Sequence, residues 1–124
     1  MINLRIKRAY EPRAPDDGRR VLVDGLWPRG LTKVDLADAV WLREIAPSSS
    51  LRRWFGHKPE RWSEFRLRYF AELEWNPAVK ALTLIIAAGP TTLLFGARDE
   101  VHNQAVALCE YMRGSPSVED GPPS

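Results

Sequence analysis

The stretch Val21-Leu22-Val23-Asp24-Gly25-Leu26-Trp27-Pro28-Arg29-Gly30-Leu31 constrains this chain more than any other. Three consecutive apolar residues, two of them β-branched, suit a strand covered on both faces. The run breaks at Asp24-Gly25 and closes on Pro28-Arg29-Gly30. An acid, a large ring, a proline of fixed φ and an arginine therefore follow directly on a buried strand. That order sets two opposite charges and an indole at one end of a sheet.

The rest of the chain supplies partners for that strand. Ile2, Leu4 and Ile6 alternate with Asn3, Arg5 and Lys7, the period of a half-buried strand. Glu11–Gly18, with two prolines and Asp-Asp-Gly, reads as a loop, and Arg19–Asp24 as the second strand. Leu31–Asp38 reads as a short helix with Thr32 as N-cap and Asp35 three positions on. Ala39–Ile45 reads as extended, ended by Pro47. Ser48–Ser50 offer caps for a helix carrying Leu51, Trp54 and Phe55, stopped by Gly56. A longer helix is expected over Glu60–Trp75, its stripe Trp62, Phe65, Tyr69 and Leu73. Another is expected over Ala78–Ala88. Thr91–Phe95 is strand-like throughout, and the last helix is expected over Glu100–Arg113, capped by Asp99, with Val101, Ala105, Leu108 and Met112 inward. Helical crossovers imply parallel pairing at least between the second and last strands. The expected fold is α/β, a small, mainly parallel sheet layered with helices in a single domain over residues 1–113. Residues 114–124, rich in Pro, Gly and Ser, are expected to be a flexible tail.

The 124 residues carry a net charge of +2, too little to argue for a nucleic-acid partner by itself. Five Trp is many for this length, and several are expected as core or pocket walls. A single cysteine, Cys109, excludes an internal disulfide and fits a reducing compartment. Met1–Tyr10 lacks the apolar region of a signal peptide, and no run approaches the roughly 20 apolar residues of a membrane helix. A cytoplasmic location without membrane attachment is the expectation.

In parallel sheets the loops leaving the carboxyl ends of strands converge, and ligands bind there. One such loop holds Asp24, Trp27 and Arg29. The other holds Arg98 and Asp99, followed by His102 and Asn103. If the two strands are neighbours, Arg29 and Arg98 can clamp a carboxylate or phosphate, and Asp24 and His102 are the candidate acid and base. Trp27, His57, Asp99 and Asn103 are candidate pocket residues. Pairing of Asp24 with Arg29 or with loop amides accounts for the same residues about as well as catalysis does, and Asp99 has a ready explanation as a helix cap.

Leu51–Trp62 mixes cations and aromatics in the manner of single-strand nucleic-acid surfaces, a face extended by Arg66 and Arg68 and diluted by Glu64 and Glu72. Its Trp54, Phe55 and Trp62 also sit at helix-core spacing, which is the stronger account. No glycine-rich phosphate loop, metal-spaced Cys/His pair or Gly-x-Ser-x-Gly occurs, so neither a metal nor a cofactor is expected. Cys109, in an apolar helix, reads as packing.

Arg20-Val21-Leu22-Val23-Asp24, Leu26-Trp27-Pro28-Arg29-Gly30, Ala46-Pro47-Ser48, Trp54-Phe55, His57 and the Thr92–Asn103 stretch resemble the YeaO-like family of bacterial proteins, domain of unknown function 488. The resemblance covers nearly everything from Arg20 to Met112. It implies an α/β fold and a cytoplasmic bacterial protein, and brings no established activity. The family usually has arginine where this chain has Gly25, so the resemblance implies a positive charge missing from the crevice. More distant relatives carry cysteine near the last strand and helix. Here Phe95 and His102-Asn103 stand in that region, and a thiol mechanism does not carry over.

Three functional readings follow. One is an uncharacterised protein binding an anionic small molecule at the carboxyl ends of the strands, with enzymatic activity left open. Another is a nucleic-acid-binding accessory protein using the basic aromatic segment 51–68. The last is a non-catalytic interaction module. Ligand identity, oligomeric state and strand order lie beyond the sequence.

Overall fold

The computed structural model describes residues 2–114. Four strands, β1 (Leu4–Arg8), β2 (Arg19–Leu22), β3 (Val40–Trp41) and β4 (Thr91–Phe95), form one sheet in the order β1-β4-β2-β3. Every pairing is parallel, so the fold is the expected single-domain α/β arrangement. Four helices follow: α1 (Ser49–Phe55), α2 (Trp62–Leu73), α3 (Ala78–Ala87) and α4 (Gln104–Gly114). Strand β4 returns from the helical layer and slots between β1 and β2. The second and last strands are therefore neighbours, in register Val21 to Leu93.

Strand alternation divides the side chains between two faces. Leu4, Val21, Val23, Leu93 and Phe95 meet the helical layer, where Phe55, Phe65, Tyr69, Leu73, Leu82 and Leu108 close the main core. The Tyr69 hydroxyl, fully buried, donates to the Ile45 carbonyl at 2.6 Å, and burial raises its pKa far above the ordinary value. Leu22 and Leu94 point to the other face, under Ala9 and Leu36, with Trp27 and Trp41 meeting edge to face at 5.2 Å.

That second face is covered by irregular chain and is partly ionic. Arg20, 3% exposed, reaches Asp38 Oδ1 at 3.0 Å and lies 3.5 Å from Asp17 Oδ2. Lys7 of β1 holds the other Asp17 oxygen at 3.0 Å. The Thr92 hydroxyl binds the Asp17 carbonyl at 2.7 Å. Desolvation raises the Asp17 pKa, but the Ala14 amide, Lys7 and Arg20 outweigh it and hold the carboxyl below its ordinary range. Gly18 leads into β2 with φ +67°, and a Cβ there would strike the Pro90 carbonyl.

Several expectations from the sequence are corrected. Leu31–Asp38 forms consecutive turns, not a helix. Thr32 and Asp35 exchange side-chain bonds to each other's amides (2.7 and 3.2 Å), but Val34 is 83% exposed and Leu36 alone is buried, too little to sustain helical turns. The extended segment after it is only Val40–Trp41, followed by a 3-10 turn over Arg43–Ile45. The Glu60–Trp75 helix is a 3-10 turn, Pro59–Arg61, and then α2. The last helix begins at Gln104, not Glu100. Asn103 caps it through the Val106 amide at 3.0 Å, while Asp99 closes the preceding turn, leaving Val101 62% exposed instead of inward. Trp75, outside the expected stripe of the Glu60–Trp75 helix, is 89% exposed. Gly114 ends α4, and the rest of the expected tail lies outside the described residues.

The ion cluster behind β2 makes a direct prediction. Arg20→Met removes the cation between two acids and should cost about 3 kcal/mol of stability by urea unfolding at neutral pH. Arg5→Met, which breaks only the exposed pair with Asp16, should cost less than about 1 kcal/mol. Equal losses would contradict the assigned role of burial.

Candidate functional site

Because β2 and β4 are adjacent and parallel, their carboxyl ends open on the same edge of the sheet. The two following loops join there through Asp24. Its Oδ2 accepts the Gly96 amide at 2.8 Å, and its Oδ1 accepts the Gln104 side-chain amide from the first turn of α4. The Asp24 carbonyl accepts the Trp41 indole N–H at 2.7 Å. Gly96 suits this approach: a Cβ there would lie 2.9 Å from Asp24 Oδ2 and 3.5 Å from Pro28 Cβ. Pro28 and Gly96 thus bring the loops bearing Arg29 and Arg98 against one another.

Burial pushes the Asp24 carboxyl up to about 6, against the opposing pull of the Gly96 amide, the Gln104 amide and the positive charge of Arg52. Arg52 is the unexpected member. The sequence places it on the basic face of α1, yet its guanidinium occupies the position that a Cβ on Gly25 would take. Nη2 donates to Ser49 Oγ at 3.1 Å. Arg52 makes no ion pair among the described residues. A positive charge from another element thus lies against Gly25 at the edge of the sheet.

The remaining candidates divide. Arg29 and Arg98 are exposed, and neither makes a salt bridge among the described residues. The Arg29 carbonyl accepts from the Tyr10 hydroxyl at 2.7 Å. Trp27 turns under the second face of the sheet, its indole donating to the Leu31 carbonyl. Asp99, His102 and Asn103 form one turn ahead of α4. Asp99 Oδ1 accepts the Val101 and His102 amides at 2.9 Å, Oδ2 meets His102 Nδ1 at 2.9 Å, and buried Asn103 binds the Asp99 carbonyl. The bonds from the His102 ring and amide, then Val101, hold the Asp99 carboxyl down to about 2. An ionised Asp99 can only accept, so His102 Nδ1 is the donor of this pair. Asp24 and His102 share no hydrogen bond. His57 is exposed, in the left-handed region at φ +57°, on the helical side of the molecule. Its ring lies 6.3 Å from Phe55, which contacts Trp62, which meets His102 edge-on at 5.5 Å.

Gln104, Gly96 and Arg52 are the site residues that sequence reasoning missed. Gln104 carried a signal of position, since it follows the His102-Asn103 pair already chosen. Arg52 carried none, because its charge reads as surface until the fold turns α1 toward Gly25.

The basic aromatic segment is largely engaged with itself. Trp54 lies beneath two guanidinium groups, Arg61 at 5.2 Å and Arg68 at 4.4 Å from the ring centre. Arg68 pairs with Glu64 at 2.8 Å, and Arg66 with Glu110. Phe55 and Phe65 stack on each other in the core at 4.4 Å. Trp54 thus meets cations of its own segment, and Phe55 and Phe65 are buried.

Comparison with known proteins bears on this geometry. Residues 3–124 match the family model described as "Inactive DUF488-N3 subclade". The uncharacterized protein YeaO of Escherichia coli is 41% identical over 113 residues, covering 90% of this chain and 98% of the relative. An uncharacterized protein of Mycobacterium tuberculosis is 38% identical over 111 residues, covering 90% and 94%. No solved structure matches the chain. Among the described residues, no helix is long and apolar enough to cross a membrane.

The perturbed carboxyl of Asp24 sets a pH dependence. In the unfolded chain an aspartate titrates near 4, so between about pH 4 and about pH 6 the folded protein keeps a proton that the unfolded chain has lost. Stability from this group is full at the low end and falls as pH rises through about 6. Asp24→Asn keeps the acceptor for Gly96 and can donate to a turned-over Gln104 amide, without titrating. Relative to wild type, the variant should gain about 2 kcal/mol between about pH 4.5 and about pH 6.5 in urea unfolding. A constant difference across that range would remove the buried-acid assignment.

Proposed function

The chain belongs to the DUF488 family, within its inactive N3 subclade, and from that premise we propose that it is a non-catalytic binding protein, taking a small anion at the carboxyl edge of its sheet. The reading rests on one observation: the β2 and β4 loops are tied together by Asp24 while Arg29 and Arg98, carried by those same loops, have no acid partner among the described residues. Exposed guanidinium groups without a resident carboxylate are available to an incoming one, or to a phosphate. Asp24 fits the role of tether better than that of base, since both its oxygens already accept hydrogen bonds. The Asp99–His102 pair shapes the turn before α4. The description of the subclade as inactive supports binding over turnover.

Thermal unfolding with nucleotides, phosphorylated sugars and dicarboxylates tests this. At a concentration about 100 times the dissociation constant, a true ligand should raise the melting temperature by several degrees. The Arg29→Ala, Arg98→Ala double variant should respond by less than about a quarter of that. An equal response in the double variant, or none in the wild type, would refute binding at this edge.

A further inference from the structure

Arg52 stands apart from the arginines of the rim. It is a partly buried residue whose guanidinium is held by Ser49 Oγ, lies over Gly25 and is close enough to Asp24 for its charge to act on that carboxyl. A cation taken partly out of water with no acid at ion-pair distance is short of a counter-charge. Gly25 is not among the positive-φ residues, so its backbone does not demand glycine. The missing side chain instead leaves room for the guanidinium.

We infer that Arg52 is the inner anion-binding group of the site, holding a small oxyanion over Gly25, and that the anion enters together with a proton on Asp24. This rests on the reading of the carboxyl edge as an anion site and names the residue and the condition that govern it. While Asp24 is ionised, its negative charge offsets Arg52 and repels the anion. Once Asp24 is protonated, the guanidinium is left uncompensated and the anion replaces the lost charge. An acid that titrates near 6 makes the exchange accessible under ordinary conditions.

The groups around Asp24 keep this coupling simple. Arg52 comes from α1, the neutral Gln104 from α4, the Gly96 amide from the β4 loop, and the Trp41 indole from β3. Glu72 of α2 is occupied by the amide and hydroxyl of Ser48 at 2.8 and 2.6 Å. Asp99 and His102 bind one another in the turn before α4. His102 is the ionisable side chain of that turn, and its substitution serves as the control.

Sulfate is the suitable probe, because its charge does not change over the working range. Isothermal titration at constant ionic strength should give about tenfold tighter sulfate binding near pH 5.5 than near pH 7.5 in the wild type. Asp24→Asn should bind with the tighter affinity at both pH values. His102→Gln should keep the pH dependence. Arg52→Gln should weaken binding about tenfold at low pH, and Gly25→Ser, which retains Arg52 but fills its place, should do the same. Unchanged affinity in both Arg52→Gln and Gly25→Ser, with binding lost in the Arg29, Arg98 double variant, would overturn the role of Arg52 and leave the rim site standing. Sulfate binding without pH dependence, or pH dependence abolished by His102→Gln instead of Asp24→Asn, would overturn the proton coupling. No sulfate binding at either pH would overturn both this inference and the anion site beneath it.

Discussion

A single carboxylate holds together the end of the sheet that matters here. Asp24 leaves the central strand β2 and binds the backbone amide of the β4 loop with one oxygen and the first turn of α4 with the other. Parallel strands share no tight turn, and their ends are connected only through long excursions into the helical layer. Without such a bond, the β2 and β4 loops would meet only by packing. With it, the loop bearing Arg29, the loop bearing Arg98 and the start of α4 are bonded through one residue.

This tie also explains why the acid is kept half-buried despite the desolvation cost. A carboxylate that cross-links three segments must sit where they converge, and that place has little water. The hydrogen bonds it gains offset part of the penalty, and the raised pKa records the part that is not offset. A structural acid and a chemically sensitive one are here the same residue.

Most of the scaffold was legible in the sequence because it follows from local pattern. The Val21–Val23 run, the Thr91–Phe95 strand and the Trp62, Phe65, Tyr69, Leu73 stripe each mark their element without reference to the rest. Parallel pairing of the second and last strands was expected from helical crossovers, and the structure supplies the strand order. What escaped depends on contacts far apart in the chain. Whether Asp99 or Asn103 caps α4 is decided by the His102 ring, which draws Asp99 into a turn of its own. Arg52 of α1 reaches the edge of the sheet where Gly25, on the far side of β3 in the chain, leaves it room.

The two faces of the sheet differ in what binds their covers. The helices adhere by hydrocarbon and aromatic contact, while the irregular chain on the opposite side is fastened in good part by Asp17, Asp38, Arg20 and Lys7. Protons neutralise the second kind of adhesive and leave the first untouched. Acid would therefore peel this molecule from one side, stripping the loop cover while the helices stay on the sheet, a partly dismantled state with much of its secondary structure retained.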